Sequence, residues 1–307
     1  MPLWQLTILL LDNFITDTME PAERKEFDSV VAAIIKRSVA SEVFNWLEEK
    51  AGLIREENGA NQLNLAFAAI PRKTGRQLIK VAEEEREITK KVHNEFSVDD
   101  WTTDRLSRLW LLMQTDAADK NTYCAKIENL FNGAEMHELA ALYSSLYFFK
   151  YPEKWQERCA EGIRSNIGIV LEAIMYNNPY PSKYLSDLAW NQLVLKAFFA
   201  EKNVNRIIGL DARANKELAL ILVDYANERR AAHRLVNPQL WRLVTKFIDE
   251  SNFKNIEEAF KSGDVKEKKA AALACFQSNY LPAKNLVDTE PVLKSAILEN
   301  KLNWNLL

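Results

Sequence analysis

The chain has 307 residues, enough for one large domain or two ordinary ones, and its 48% hydrophobic content can fill a sizeable core. Its 40 basic and 43 acidic residues leave a formal net charge of -3, which excludes the strongly basic surface that nucleic acid requires. With 8 glycines and 9 prolines, the chain has few of the turn residues that a many-stranded sheet needs, so helices are expected.

The N-terminal segment Trp4–Phe14 is apolar, but it lacks the basic start and the cleavage site of a signal peptide, and Asp12 interrupts it. It is also shorter than the roughly 20 residues of a membrane-spanning helix. We expect a terminal helix that packs on the protein body, or an amphipathic contact with a membrane surface. The three separated cysteines indicate neither disulfides nor a zinc site, which fits the cytoplasm.

Apolar residues recur at helical spacing along the rest of the chain, and no alternating run is long enough to predict a strand. Caps and prolines mark the predicted helix starts. These starts are Pro21, Ser97, Pro152, Ser182, Asn237 before Pro238, and Glu290 before Pro291. The pattern predicts an all-α protein, specifically an irregular HEAT-like or armadillo-like helical repeat (an α-solenoid), with a compact helical bundle as the alternative.

We divide the chain into N-terminal helices over residues 1–59 and a helical repeat domain over residues 60–307, with one continuous domain as the alternative. No Gly-rich phosphate loop and no G-x-S-x-G motif occurs. The three histidines lie far apart, and their spacing indicates no nucleophile or metal site. No catalytic residue, metal or cofactor is therefore predicted.

Residues 177–199 combine a stiff loop with a helix that is apolar on nearly every side. Prolines follow Asn178 and Tyr180, so the loop leaves carbonyl groups that it cannot satisfy itself. In the helix that follows Tyr184, three polar residues lie among apolar ones, although polar groups are costly to bury without partners. They are Asn191, Gln192 and Lys196. The first interpretation is that they brace the loop, and the second is that they line a ligand or partner groove.

A second helix, predicted over residues 218–234, places Tyr225 and Arg229 on its packed face, with Asp224 and Glu228 just beside that face. The first interpretation is a structural ion pair in which Asp224 or Glu228 holds a buried arginine, either Arg229 or Arg164. A polar pocket for a small ligand, shared with Asn191 and His233, is the second. A metal site is the third, and it has no distinctive spacing to support it.

Several of these segments resemble the EboA family of bacterial proteins. The resemblance covers about residues 60–288, and its specific motifs are Glu161-Gly-Ile-Arg-Ser-Asn166, Asn178-Pro-Tyr-Pro181, Ala189-Trp-Asn-Gln-Leu-Val-Leu-Lys196 and Asp224-Tyr-Ala-Asn-Glu-Arg229. It implies a role in trafficking or maturing a secondary-metabolite precursor for export. It also implies, as partners, other proteins of an ebo-type cluster, including a prenyltransferase-like membrane protein, and a small-molecule metabolite.

The sequence and the resemblance together predict a noncatalytic scaffold or carrier in the cytoplasm, with peripheral association at the inner membrane as an extension. The candidate groove, or structural polar cluster, comprises Arg164, Asn166, Asn178, Tyr180, Tyr184, Asn191, Gln192, Lys196, Asp224, Tyr225, Glu228 and Arg229. One alternative is an enzyme acting on a small polar metabolite, with Asp224 and Glu228 as acid and base. Another is a peripheral membrane adaptor that uses the segment Trp4–Phe14.

Overall fold

The structure is a computed structural model that describes residues 19–56 and 60–307. The all-α prediction is confirmed: the described residues form 17 α-helices with short 3-10 turns between them and no strand. One isolated antiparallel bridge joins Leu78 and Thr102. The segment Trp4–Phe14, predicted to be a terminal helix or a membrane contact, lies outside the described residues.

The described residues divide into two compact units, with the boundary between Ser186 and Asp187. The first unit contains ten α-helices in its described part: α1 (Pro21–Ser38), α2 (Ser41–Arg55), α3 (Ala60–Thr74), α4 (Glu83–Val92), α5 (Thr103–Met113), α6 (Lys120–Gly133), α7 (Met136–Ser144), α8 (Gln156–Arg164), α9 (Gly168–Met175) and α10 (Pro179–Tyr184). The second unit contains α11 (Asp187–Phe199), α12 (Lys216–Ala231), α13 (Gln239–Val244), α14 (Phe253–Phe260), α15 (Val265–Gln277), α16 (Leu281–Asp288) and α17 (Pro291–Leu298).

Helix α5 is the centre of the first unit. It packs against α1, α2, α3 and α7, and its Leu106, Leu109 and Leu112 are buried. Each leucine removed from water in this way contributes about 1.5–3 kcal/mol. A stacked pair of rings, Phe27 and Phe148 at 4.8 Å between centroids, extends the core beside α1.

Helix α15 is the centre of the second unit, where it packs against α13, α14, α16 and α17. The run Ala270–Ala274 is fully buried along this helix. Small side chains on several faces let neighbouring helices approach α15 closely, which explains why a short alanine-rich helix forms the core of this unit.

The HEAT-like or armadillo-like solenoid is not confirmed. In a solenoid each repeat contacts only its neighbours. Here α5 and α15 each pack against four other helices of their unit. The predicted division at residues 59 and 60 stays a prediction. That position lies within the first unit, where α2 and α3 pack together.

Most of the predicted helix starts are confirmed, including Pro21 and the 3-10 turn that begins at Pro152. Two are wrong. Ser97 forms a local turn instead, because its hydroxyl bonds to Asp99 and accepts from the backbone of the same residue. Ser182 lies inside α10, whose first turn is capped by Asn178.

Candidate functional site

Gly162 lets α8 lie directly against α7 and α9. It is buried near the end of α8, and a Cβ atom at this residue would stand 2.6 Å from ring atoms of Tyr143 and from Cδ1 of Ile174. Side chains do not pack that closely, so any larger residue would push the helices apart. The Ser165 hydroxyl then accepts a hydrogen bond from the Ile167 amide at 3.1 Å and turns the chain toward α9.

A cavity of about 400 Å³, here named the Gly162 pocket, lies beside this contact. Its volume is within the range of small-molecule sites. Its lining combines apolar side chains with polar and charged ones. The pocket is lined by Phe131, Leu139, Tyr143 and Val170 and by Arg158, Glu161, Gly162, Arg164 and Ser165.

Tyr143 brings a hydroxyl to the Gly162 pocket on a side chain that is almost fully buried. Its side chain is only 4% exposed and its ring packs edge-on against Phe131, with 5.2 Å between centroids. No hydrogen bond from a described residue reaches its hydroxyl. Burial raises the pKa of Tyr143, so the hydroxyl stays protonated at neutral pH and can act as a hydrogen-bond donor.

Arg158 is held rigidly at the polar wall. Its guanidinium donates to Glu128 at 2.7 Å, to Glu161 at 2.9 Å and to the Asn132 side chain at 2.7 Å. It also lies over the Phe131 ring, 5.4 Å from the centroid. Its charge is therefore already neutralised by two carboxylates, and it shapes the wall of the pocket rather than offering a free cation.

Arg164, at the end of α8, differs from Arg158. It is exposed, and no hydrogen bond or ion pair with a described residue holds it. It also lines a second cavity of about 480 Å³ together with Arg158, Glu161 and Lys154. Arg164 is thus available to an anionic group that enters either cavity, and it is one of the residues predicted from the sequence.

The other predicted site residues of the first unit do not line the Gly162 pocket. Asn178 is buried, donates to the carbonyls of Tyr143 and Ala173 at 3.0 Å each, and caps α10 by accepting from the Tyr180 amide. The Tyr180 hydroxyl is buried and donates to the Pro152 carbonyl at 2.5 Å. Both are therefore internal structural groups. Asn166 is exposed between α8 and α9.

Tyr184 is half-buried, and its ring packs 5.0 Å from that of Tyr180. Lys183 lies over the Tyr184 ring, with 5.5 Å between its Nζ and the centroid. Tyr184 thus belongs to the packing at the end of the first unit.

In the second unit, Asn191 is buried and exchanges two hydrogen bonds with Asn215, at 2.8 and 3.2 Å. Asn215 also caps α12, because its side-chain oxygen accepts from the Leu218 amide. The first interpretation predicted that Asn191 braces the loop of residues 177–181. The hydrogen-bond partner of Asn191 is instead Asn215. Gln192 is exposed, and Lys196 is half-buried.

The predicted ion pair of Asp224 or Glu228 with Arg229 or Arg164 is wrong. Both carboxylates are exposed, and neither has an ion pair with a described residue. Arg229 instead donates to the Leu235 carbonyl at 2.9 Å and lies 3.7 Å from Glu201.

The prediction failed because Asp224 and Glu228 point away from the packed stripe of α12, and water solvates them at little cost. Tyr225, on the packed side, is half-buried and donates to the Phe198 carbonyl at 3.4 Å. Within residues 19–56 and 60–307, no group of three potential metal ligands comes together.

Sequence reasoning missed the pocket itself. Neither Tyr143 nor Leu139 is among the residues predicted from the sequence, and Gly162 enters only within the motif Glu161-Gly-Ile-Arg-Ser-Asn166. A glycine inside an otherwise ordinary helix was the available signal, because glycine weakens a helix unless close packing requires it.

Comparison with known families matches residues 27–245 to a family described as metabolite traffic protein EboA. The match begins earlier and ends earlier than the resemblance in the sequence suggested, and it includes Tyr143, Gly162 and Arg164. Comparisons with curated proteins and with solved structures find no match. Among the described helices, none is both long and apolar enough to cross a membrane. Because the match covers more than half of its length, the chain belongs to the EboA family.

Proposed function

We propose that this chain is a noncatalytic carrier that binds a small amphipathic metabolite in the Gly162 pocket. The observation that supports this proposal is the Tyr143 hydroxyl, a polar group on an almost fully buried side chain that lines a cavity without a protein partner. A hydroxyl that faces a cavity can donate to and accept from a group that enters it. A ligand oxygen would be such a group.

The lining indicates the chemistry of the metabolite. Phe131, Leu139 and Val170 offer an apolar wall, and the Tyr143 hydroxyl offers one donor. Because Arg158 is neutralised by carboxylates, Arg164 remains as the cation available to a ligand. A molecule with an apolar body and one carboxylate or phosphate group matches this arrangement.

A carrier has more support than the enzyme that uses Asp224 and Glu228. Acid and base groups must be held in a fixed geometry around the reacting atoms. Both carboxylates are exposed on α12, and no described residue holds either of them. The Tyr143 hydroxyl, whose pKa is raised by burial, is a donor and a poor base at neutral pH.

The family's description, metabolite traffic, supports a wider role in the movement of a metabolite. We propose that the carrier acts in the traffic or maturation of a secondary-metabolite precursor for export, with other ebo-cluster proteins and a prenyltransferase-like membrane protein as partners. It would act in the cytoplasm or at the inner membrane. The adaptor alternative depends on Trp4–Phe14, outside the described residues. The helical repeat also stays a prediction.

Native mass spectrometry tests the carrier proposal. The protein is incubated with a small-molecule extract of cells that carry an ebo-type cluster, and the mass retained on the folded protein is measured. We expect the wild type to retain a small molecule and Arg164→Gln and Tyr143→Phe to lose it. Arg72→Gln is the matched control, because Arg72 is also an exposed arginine near the end of a helix, α3.

A wild-type protein that emerges from the extract with no added mass would contradict the carrier proposal. So would an added mass that both pocket variants retain as well as the control does. Far-ultraviolet circular dichroism of each variant, recorded before incubation, confirms that a lost mass does not result from unfolding.

A further inference from the structure

A second cavity of the first unit has an unusual lining of side-chain amides. It lies between α3 and α6, has a volume of about 430 Å³, and is here named the amide pocket. Three asparagines and one carboxylate line it, together with four residues that carry no polar side chain. These residues are Asn64, Asn129, Asn132 and Glu138, and Phe67, Ala68, Leu130 and Gly133.

The amides retain most of their hydrogen-bonding capacity. Asn64 is half-buried and Asn129 is exposed, and neither bonds to a described residue. The Asn132 oxygen accepts from Arg158 at 2.7 Å, which leaves its amide group with two N–H donors. The pocket therefore presents several donors and acceptors that the described protein does not use.

Beneath the pocket, a buried arginine lies close to Glu138. Arg108 is fully buried, donating to Asp104 at 2.8 Å and to the Phe67 carbonyl at 3.2 Å, while its Nη2 atom has no hydrogen bond. That atom lies 3.6 Å from Oε1 of Glu138, beyond hydrogen-bond distance. The other Glu138 oxygen, Oε2, accepts from the Glu135 amide at 3.0 Å.

This geometry leaves one Glu138 oxygen as an acceptor beside the pocket, on a side chain that is only 12% exposed. The buried Arg108 cation already opposes its negative charge across 3.6 Å. A ligand therefore needs no positive charge to pair with Glu138. It needs hydroxyl groups, which can donate to a carboxylate and also donate to and accept from amides.

We propose that the amide pocket binds a neutral polyhydroxylated molecule, a sugar or a polyol. Its hydroxyl groups would bond to Asn64, Asn129 and the free donors of Asn132, and one would donate to Glu138. Its C–H face would lie over Phe67 and Leu130. The site is separate from the carrier proposal, because neither Tyr143 nor Arg164 lines it.

Saturation-transfer NMR with glucose and mannitol tests this second site, and gluconate serves as a charged counterpart of glucose. We expect saturation transfer to a neutral probe at millimolar concentration. The combined substitution Asn64→Ala and Asn129→Ala should weaken binding at least about tenfold, since it removes two direct partners. The matched control combines Asn61→Ala and Asn121→Ala, exposed asparagines on the same two helices.

Several outcomes would overturn the proposal. The first is that neither neutral probe receives saturation from the protein. The second is that the Asn64/Asn129 variant and the wild type bind the probe equally well, and the third is that gluconate binds more tightly than glucose. Arg164→Gln should leave the signal unchanged. A signal lost in that variant would assign the probe to the Gly162 pocket, so the two proposals fail separately.

Discussion

Gly162 and Tyr143 are in such close contact that a methyl group at residue 162 would stand 2.6 Å from the tyrosine ring. The contact joins α8 to α7 at the floor of the Gly162 pocket. It also explains why the weakest helix former after proline occupies a helix of only nine residues.

Substitution Gly162→Ala should destabilise the first unit. The added Cβ has to displace a buried ring, which typically costs about 1–3 kcal/mol. Urea denaturation followed by circular dichroism measures the change. Gly52→Ala is the control, because nothing lies within 4 Å of a Cβ there and alanine favours the helix by about 1 kcal/mol. Equal effects of the two substitutions would contradict the packing role of Gly162.

The hydroxyls of two buried tyrosines should differ in their contribution to stability. Tyr180→Phe removes the donor to the Pro152 carbonyl and should cost about 1–2 kcal/mol. Tyr143→Phe removes a hydroxyl that bonds to no described residue, and we expect a change below about 0.5 kcal/mol. Chemical denaturation of both variants tests the difference. A large loss in Tyr143→Phe would show that its hydroxyl has a structural partner.

The Asn191 and Asn215 side chains should be energetically coupled. Either alanine substitution leaves the other amide without its partner, so each should cost about 1–3 kcal/mol, and the double-mutant cycle should give a coupling of about 0.5–3 kcal/mol. Gln192→Ala, an exposed amide on the same helix, is the control and should be nearly neutral. Independent effects at residues 191 and 215 would rule out the pair.

The ion pair between Arg37 and Glu85 should make part of the stability depend on pH. Arg37 donates to both oxygens of Glu85, at 2.7 and 2.8 Å, and this hydrogen bonding lowers the pKa of Glu85. A lowered carboxyl pKa stabilises the fold above the unfolded value, about 4.5, and that contribution disappears as pH falls through the folded value.

Glu85→Gln should therefore cost about 0.5–1 kcal/mol at neutral pH, a small value because Arg37 is half exposed. The cost should shrink as the pH falls below the unfolded value of about 4.5 and through the lower folded value. Urea denaturation across this pH range measures it. Glu84→Gln, an exposed neighbour on α4, is the control. A cost that does not depend on pH would contradict the role of the Arg37 pair.

Local features of the sequence predicted the helices well, because spacing of apolar residues and proline at a first turn act over a few residues. The start of α1 at Pro21 is an example. Ser182 failed as a start because the competing cap at Asn178 also bonds to the carbonyls of Tyr143 and Ala173, contacts that no local pattern reveals.

Local patterns were equally unable to predict which residues of the candidate site come together. Arg164 was predicted and lines the Gly162 pocket, whereas Asp224 and Glu228 face solvent on another unit. A helical map orders residues around one helix, but it does not say which neighbouring helix covers a given face. Tyr143 belonged to an apparently ordinary apolar face, and only the approach of α8 and α9 makes it part of a cavity.

By itself the sequence determined the all-α class and the EboA family, because helix periodicity, capping and motif identity are local properties of the chain. The tertiary structure decided which polar groups are satisfied. Asn191 is hydrogen-bonded to Asn215, 24 positions further along the chain. The charge of Glu138 is balanced by that of Arg108 on a different helix. Such partners are set by the packing of whole helices, since the free energy of a buried polar group depends on what surrounds it.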